Sequence, residues 1–253
     1  MHAASNPSVV AITGSWHTTA HAAPLISTLK AKGYSAQAHQ LASVGLKERR
    51  PTFADDVEAI FAAVYSELVA GRDVTLLLHS YAGMPGAEAI NRLLAEKRLA
   101  SQAEGGRDGR ARLARVIFLA AYVFPIGFIM DAAMMVGPEN PNFTIDSDGM
   151  TCMANPRHTF FNDIASDDEA QQWVDKLEPG YCLGKGPVLS SDDWKTAAPV
   201  TAVLMKQDNA VPPARQEAIW QGHDSVWLEG SHTPYVSQPE KVANVIIEVI
   251  GKS

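Results

Sequence analysis

A chain of 253 residues that is 46% hydrophobic and 19% charged has the composition of a soluble protein with a large core. Its formal net charge of −7 offers no basic field to a phosphate backbone, and no run of Lys and Arg is interleaved with aromatics, so nucleic-acid partners are not expected. Cys152 and Cys182 form no CxxC pair and stand near no His at ligand spacing, which argues against structural zinc and reads as two free thiols in a reducing compartment.

Short β-branched runs alternate with amphipathic stretches along the chain, the pattern of a parallel sheet covered on both faces. Residues 1–9 show no basic start followed by a long apolar run and do not read as a signal peptide. The first strand is Val9 to Thr13, running into Gly14-Ser15-Trp16-His17. A helix over about Ala22 to Lys32 ends at Gly33. The more polar strand Tyr34 to Leu41 follows, and then a helix from Pro51-Thr52 with Phe53, Val57, Ile60, Phe61, Val64 and Leu68 at helical spacing. Val74 to His79 is apolar almost throughout, as a central strand should be; Ser80 ends it, and a helix runs on to about Arg98.

Ala100 to Arg115, rich in Gly, Arg and Ser, reads as a solvated loop. Val116 to Tyr122 is the next strand. The apolar stretch from Val116 to Ile129 is broken by Pro125 and Gly127 and is too short to span a membrane, so the expectation is a cytosolic protein. From Phe124 to about Lys195 the alternation stops, and a segment this long calls for helical structure of its own. The rhythm returns with a strand at Val200 to Met205, a helix at Pro212 to Gln221 and a strand at Ser225 to Leu228. A last helix opens on Ser237-Gln238-Pro239-Glu240, read as a capping box.

Ser80 is the first chemical signal. It lies between an apolar strand and a helix, in Leu78-His79-Ser80-Tyr81-Ala82-Gly83, where a sharp turn would lift its hydroxyl above the sheet edge. Such a turn asks for small residues two before and two after; Ala82 obeys and Leu78 does not. The bland alternative is a serine that only caps the next helix. A serine hydroxyl needs a base, and the base a fixed tautomer. Asp208, after the strand Val200 to Met205, and His232, after the strand Ser225 to Leu228, complete the order Ser, Asp, His. Two backbone N–H groups should hold an oxyanion: that of Tyr81, and that of Ser15 in the loop after the first strand, where Gly14 allows close approach.

These residues make the chain resemble the α/β-hydrolases of the plant methylesterase and hydroxynitrile lyase group. The resemblance spans nearly the whole chain and rests on Ile12-Thr13-Gly14-Ser15-Trp16-His17, on Leu78-His79-Ser80-Tyr81-Ala82-Gly83, and on Asp208 and His232 in order. It implies one α/β-hydrolase domain over residues 1–253, with a mostly parallel sheet of about six strands. It also implies a helical cap over 124–195, inserted after the strand at 116–122, and homodimers as a common state. The lyases of the group carry a threonine at Gly14 and a lysine at Thr233; Gly14 matches the esterase branch instead. His17 matches a histidine of the family's first loop, while Thr18-Thr19-Ala20 departs from its Gly-Ala-Trp.

The expected activity is hydrolysis of a carboxylic ester or lactone of a small, mostly apolar molecule, with no cofactor and no metal. Gly14, Trp16, His17, Phe128, Met134, Phe160, Phe161 and Trp194 are the expected substrate-binding residues, although the cap aromatics could equally be the cap's own core. The same site could perform carbon–carbon cleavage or cyclisation with His232 as base, and a non-catalytic small-molecule receptor is the third reading. An epoxide or haloalkane hydrolase would place Asp where this chain has Ser80.

Overall fold

In the computed structural model, residues 6–99, 111–129, 143–181 and 189–252 are described; Met134, Cys182 and most of the Gly/Arg-rich stretch lie outside them. Six strands form one parallel sheet: β1 (Ser8–Ile12), β2 (Ala36–His39), β3 (Val74–His79), β4 (Leu113–Leu119), β8 (Val200–Met205) and β9 (Asp224–Leu228). Their order across the sheet is β2-β1-β3-β4-β8-β9. The chain builds outward from β1 to β2 and then reverses to β3, so β1 and β3 flank the switch point where open α/β sheets leave a crevice beyond the strand ends.

Alternation within each strand divides the core. Val10, Ile12, Leu76, Leu78, Val116, Phe118, Ala202 and Leu204 face α2 (Phe53–Val69) and α3 (Gly83–Ala95). Val9, Ala11, Leu77, Ile117, Leu119, Val203 and Met205 face α1 (Thr19–Ala31) and α9 (Pro239–Gly251). The expected α/β-hydrolase architecture, a parallel sheet of six strands with helices on both faces, is what the chain adopts.

Three expectations need correction. The fourth strand is Leu113–Leu119 and not Val116 to Tyr122, because Ala120 takes a left-handed backbone (φ 47°) that ends the ladder early. The last helix begins at Pro239, after a separate short α8 (Pro234–Ser237); Gln238 and not Ser237 stands at its N-cap, and the Ser237 hydroxyl donates to Asp163 Oδ2 at 2.6 Å. Finally, the insertion between β4 and β8 is not purely helical. Beside short helices α4 (Pro156–Phe160), α5 (Asp167–Val174) and α6 (Trp194–Ala197) it holds an antiparallel sheet of β5 (Phe143–Ile145), β6 (Met150–Met153) and β7 (Gly180–Tyr181). Its hairpin closes through Asp146, which accepts the amides of Asp148 and Met150, and through Gly149 at φ 75°, a conformation glycine adopts without steric cost. α7 (Pro213–Ile219) lies between β8 and β9.

Candidate active site

Three loops meet at the carboxyl edge of the sheet, and strain marks it. Ser80 (φ 55°) leaves β3, Trp16 (φ 64°) lies in the loop after β1, and Ala120 leaves β4, all left-handed without being glycine. Such a conformation costs on the order of 1–2 kcal/mol per residue and persists where surrounding packing imposes it. At Ser80 it produces the sharp strand-to-helix turn expected from the sequence. Leu78, too large for the usual rule, fits because α3 supplies the room. A Cβ on Gly86 would lie 2.4 Å from a Leu78 methyl, so the small residue has moved from the strand to the facing helix.

The hydroxyl does not stand alone. His232 Nε2 lies 2.9 Å from Ser80 Oγ, and His232 Nδ1 lies 2.8 Å from Asp208 Oδ2, with His232 and Asp208 almost wholly buried. The carboxylate is held in turn. Asp208 Oδ1 accepts the amides of Ala210 and Val211, each at 2.8 Å, and Gln216 Nε2 donates to Oδ2 at 3.3 Å. Gln216, fully buried, also exchanges bonds with the Met205 backbone and donates to the Val211 carbonyl, which ties the acid loop to the end of β8. A carboxylate so placed selects the imidazole tautomer with its proton on Nδ1 and leaves Nε2 free to take one from Ser80.

The loop after β1 is pressed onto Ser80, since a Cβ on Gly14 would sit 2.8 Å from Ser80 Cβ. Residues 14–17 form a tight turn closed by the His17 amide on the Gly14 carbonyl. The His17 ring reaches back, Nδ1–H donating to the Ser15 carbonyl at 2.8 Å while Nε2 accepts from the Thr233 hydroxyl at 2.9 Å. His79 performs a similar service one layer deeper. Its Nε2–H donates to the His232 carbonyl at 2.9 Å, so Nδ1 is the acceptor for the Gly14 amide (3.2 Å) and the Tyr235 hydroxyl (3.0 Å). Burial pushes the pKa of both His17 and His79 well below the ordinary histidine value, and neighbouring histidines push the same way. Both rings are therefore neutral, as those bonds require.

The other expected residues fall into two groups. Phe160 packs beside His232, its ring centroid 5.6 Å from that of His232, 5.0 Å from His17 and 5.7 Å from Trp16. Trp16 joins the loop to the insertion, its indole N–H donating to the Thr151 carbonyl at 2.9 Å and its ring meeting Phe143 edge-on. Phe128 stacks on Phe124, which contacts Tyr122 just beyond β4. Phe161 and Trp194 go elsewhere. Phe161 is buried against His17 and His21. Trp194 is buried on Phe118, its amide donating to Asn91 Oδ1, and belongs to the core under α3. The reading of the sequence did not single out His79, Gln216, Tyr235 or Asp163. His79 left a trace, a histidine ending an apolar central strand; Gln216 left none, because its partners come together only in the fold.

Residues 9–245 match the alpha/beta hydrolase family. An alpha/beta hydrolase from Aspergillus novofumigatus, nvfD, is 26% identical over 259 residues, 98% of each chain. Among solved structures, the pyrethroid hydrolase PytH superposes with a TM-score of 0.71 at 16% identity, covering 97% of this chain and 98% of its own. Polyneuridine aldehyde esterase superposes with a TM-score of 0.71 at 19% identity, covering 96% and 99%. These likenesses bear out the fold that the sequence motifs pointed to.

Proposed function

Because the chain belongs to the alpha/beta hydrolase family, we propose that it is a serine hydrolase acting on a carboxylic ester or lactone of a small, mostly apolar molecule. The observation that carries this reading is the single imidazole bridging Ser80 Oγ and Asp208 Oδ2 at 2.9 and 2.8 Å. Ser80 Oγ attacks the ester carbonyl as its proton passes to His232 Nε2, and the carbonyl oxygen becomes an oxyanion held by the amides of Ser15 and Tyr81. The tetrahedral centre collapses, the C–O bond to the leaving alkoxide breaks, and the imidazolium returns the proton to that oxygen. Water then adds to the acyl-enzyme with His232 again as base, releasing the acid and regenerating Ser80. Asp208 holds the imidazole in place and stabilises its charged form.

Two further observations support hydrolysis over a lyase reaction. The residue after His232 is Thr233, whose fully buried hydroxyl bonds His17, so no ammonium stands there to meet an anionic leaving group. Gly14 lets the oxyanion loop lie directly on Ser80. Two neighbours carry hydrolytic names, the pyrethroid hydrolase PytH and polyneuridine aldehyde esterase, while tomato methylketone synthase shares the same fold. The apolar preference rests on Phe160, whose ring lies against His232, and on Trp16 packed beside it.

The test is a panel of aryl esters, methyl esters and lactones, run with fluorophosphonate labelling on wild type and Ser80→Ala. Wild type should label and turn over at least one ester class, and Ser80→Ala should lose labelling and on the order of 10⁴- to 10⁶-fold in kcat. Turnover that survives in Ser80→Ala would transfer the chemistry to His232 as base alone.

A further inference from the structure

One short stretch of the insertion, residues 158–163, grips both loops that carry the base and the acid. Asn209 Nδ2 donates to the His158 carbonyl and Asn162 Nδ2 to the Gln207 carbonyl, each at 2.9 Å, on either side of Asp208. The Thr233 amide donates to the Phe160 carbonyl at 3.2 Å, directly after His232. At the end of the stretch, Asp163 Oδ2 is the focus of three donors: the Ser231 amide at 3.1 Å, the Ser237 hydroxyl at 2.6 Å and Gln238 Nε2 at 3.1 Å. Ser231 immediately precedes His232, while Ser237 and Gln238 close α8 just beyond it. One carboxylate oxygen thus pins the histidine loop at both ends. Gly230 is packed onto the same oxygen, a Cβ there lying 3.2 Å from Oδ2.

We propose that Asp163 is a positioning residue for the hydrolysis, setting the reach of His232 Nε2 to Ser80 Oγ from within the insertion while touching neither substrate nor triad side chain. The proposal rests on the Ser80–His232–Asp208 reading above. The physical reason is the choice of acceptor. A carboxylate binds N–H and O–H donors roughly twice as strongly as a neutral group. Holding the loop on both sides of His232 fixes the ring where a displacement of about 1 Å costs on the order of 10²-fold in rate. Asn162 and Asn209 do the same for the acid loop, so one piece of the insertion sets the spacing between the base and its orienting carboxylate.

The experiment compares wild type, Asp163→Ala, Asp163→Asn, Ser237→Ala and Ser80→Ala, using 4-nitrophenyl acetate for kcat and KM and a fluorophosphonate probe for the labelling rate. Asp163→Ala should lower kcat and the labelling rate together by about 10- to 100-fold, with KM within about threefold of wild type. Asp163→Asn should recover most of the loss, because its amide oxygen still accepts from Ser231 and Ser237. Ser237→Ala, which removes one donor and leaves the core alone, should slow both by about two- to fivefold. The proposal is overturned by a folded Asp163→Ala with wild-type kcat and labelling, or by an Asp163→Asn as slow as Asp163→Ala. Should Asp163→Ala fail to fold, full speed in Ser237→Ala overturns it. A wild type that neither turns over nor labels would sink the Ser80 reading itself, an outcome told apart from the failure of Asp163 alone.

Discussion

In the parallel sheet, β1 and β3 are buried at every residue, and β4 nearly so; in the insertion between β4 and β8, α5 buries only Ala170 and β5 only Phe143. The sheet is held by apolar side chains facing two helical layers. The insertion is docked by hydrogen bonds and aromatic contacts onto the loops of the site. Thr151 takes the Trp16 indole N–H, the Glu178 amide donates to the Trp16 carbonyl, the Trp173 carbonyl takes the His21 Nε2–H, and residues 158–163 grip the acid and histidine loops. Apolar burial is non-directional and scales with area, whereas hydrogen bonds fix angle and distance. The sheet supplies stability and decides where the reacting groups emerge. The insertion anchors itself in the same core through Phe160, Phe161, Ile164 and Trp194, and its hydrogen bonds decide how tightly the loops are oriented and what surrounds them.

Substitutions on the two sides should therefore fail differently. The largest effect is expected at the sheet edge, beside Ser80. Gly14→Ala drives a methyl to 2.8 Å from Ser80 Cβ and must displace the loop after β1. A loss of about 10²- to 10³-fold in kcat, with the urea midpoint little changed, is the expected outcome by steady-state kinetics and urea titration. A fall in stability with kcat intact would mean that Gly14 serves packing alone.

Next comes the sheet interior. Gly86→Ala forces its methyl against Leu78, and global unfolding should become easier by about 1–3 kcal/mol even though alanine favours the helix. Adding Leu78→Ala should return part of that loss, a coupling that a double-mutant cycle in urea would read. The smallest effect belongs to the insertion. Gly149→Ala, at φ 75°, should cost about 1 kcal/mol. That cost should appear as faster hydrogen exchange over Phe143–Met153, with the global urea midpoint unmoved. A matching drop in the global midpoint would erase the distinction between the two regions.

How much was legible in the residues follows the same division. The runs Val9 to Thr13, Val74 to His79 and Val200 to Met205 announce the central strands because strands buried on both faces read as continuous apolar segments. Once the strands are placed, the loops after them follow, and with them Ser80, Asp208, His232 and the Gly14 turn. The fourth strand was misplaced by about three residues because the left-handed Ala120 that ends it is imposed by its surroundings. The hairpin of β5 and β6 was missed although Asp148-Gly149 is a turn signal, since strands of three and four residues carry too little periodicity to outweigh the expectation of helix. Trp194 and Phe161 were expected at the pocket, but aromatic composition cannot say which ring faces a cavity and which fills a core.

By itself the amino-acid sequence determined the sheet, its two helical layers and the three side chains that leave its edge in the order Ser80, Asp208, His232. Each of these follows from local apolar periodicity and from which residue ends which strand. Only the tertiary structure decided the tautomers of His17 and His79, the exchange of Leu78 for Gly86 in the space beneath the turn, and the meeting of Asp163 with Ser231, Ser237 and Gln238. Those depend on partners far apart in the chain: 216 residues between His17 and Thr233, 156 between His79 and Tyr235, and 74 between Asp163 and Ser237. Hydrogen-bond directions between such groups exist only after the chain has closed around them.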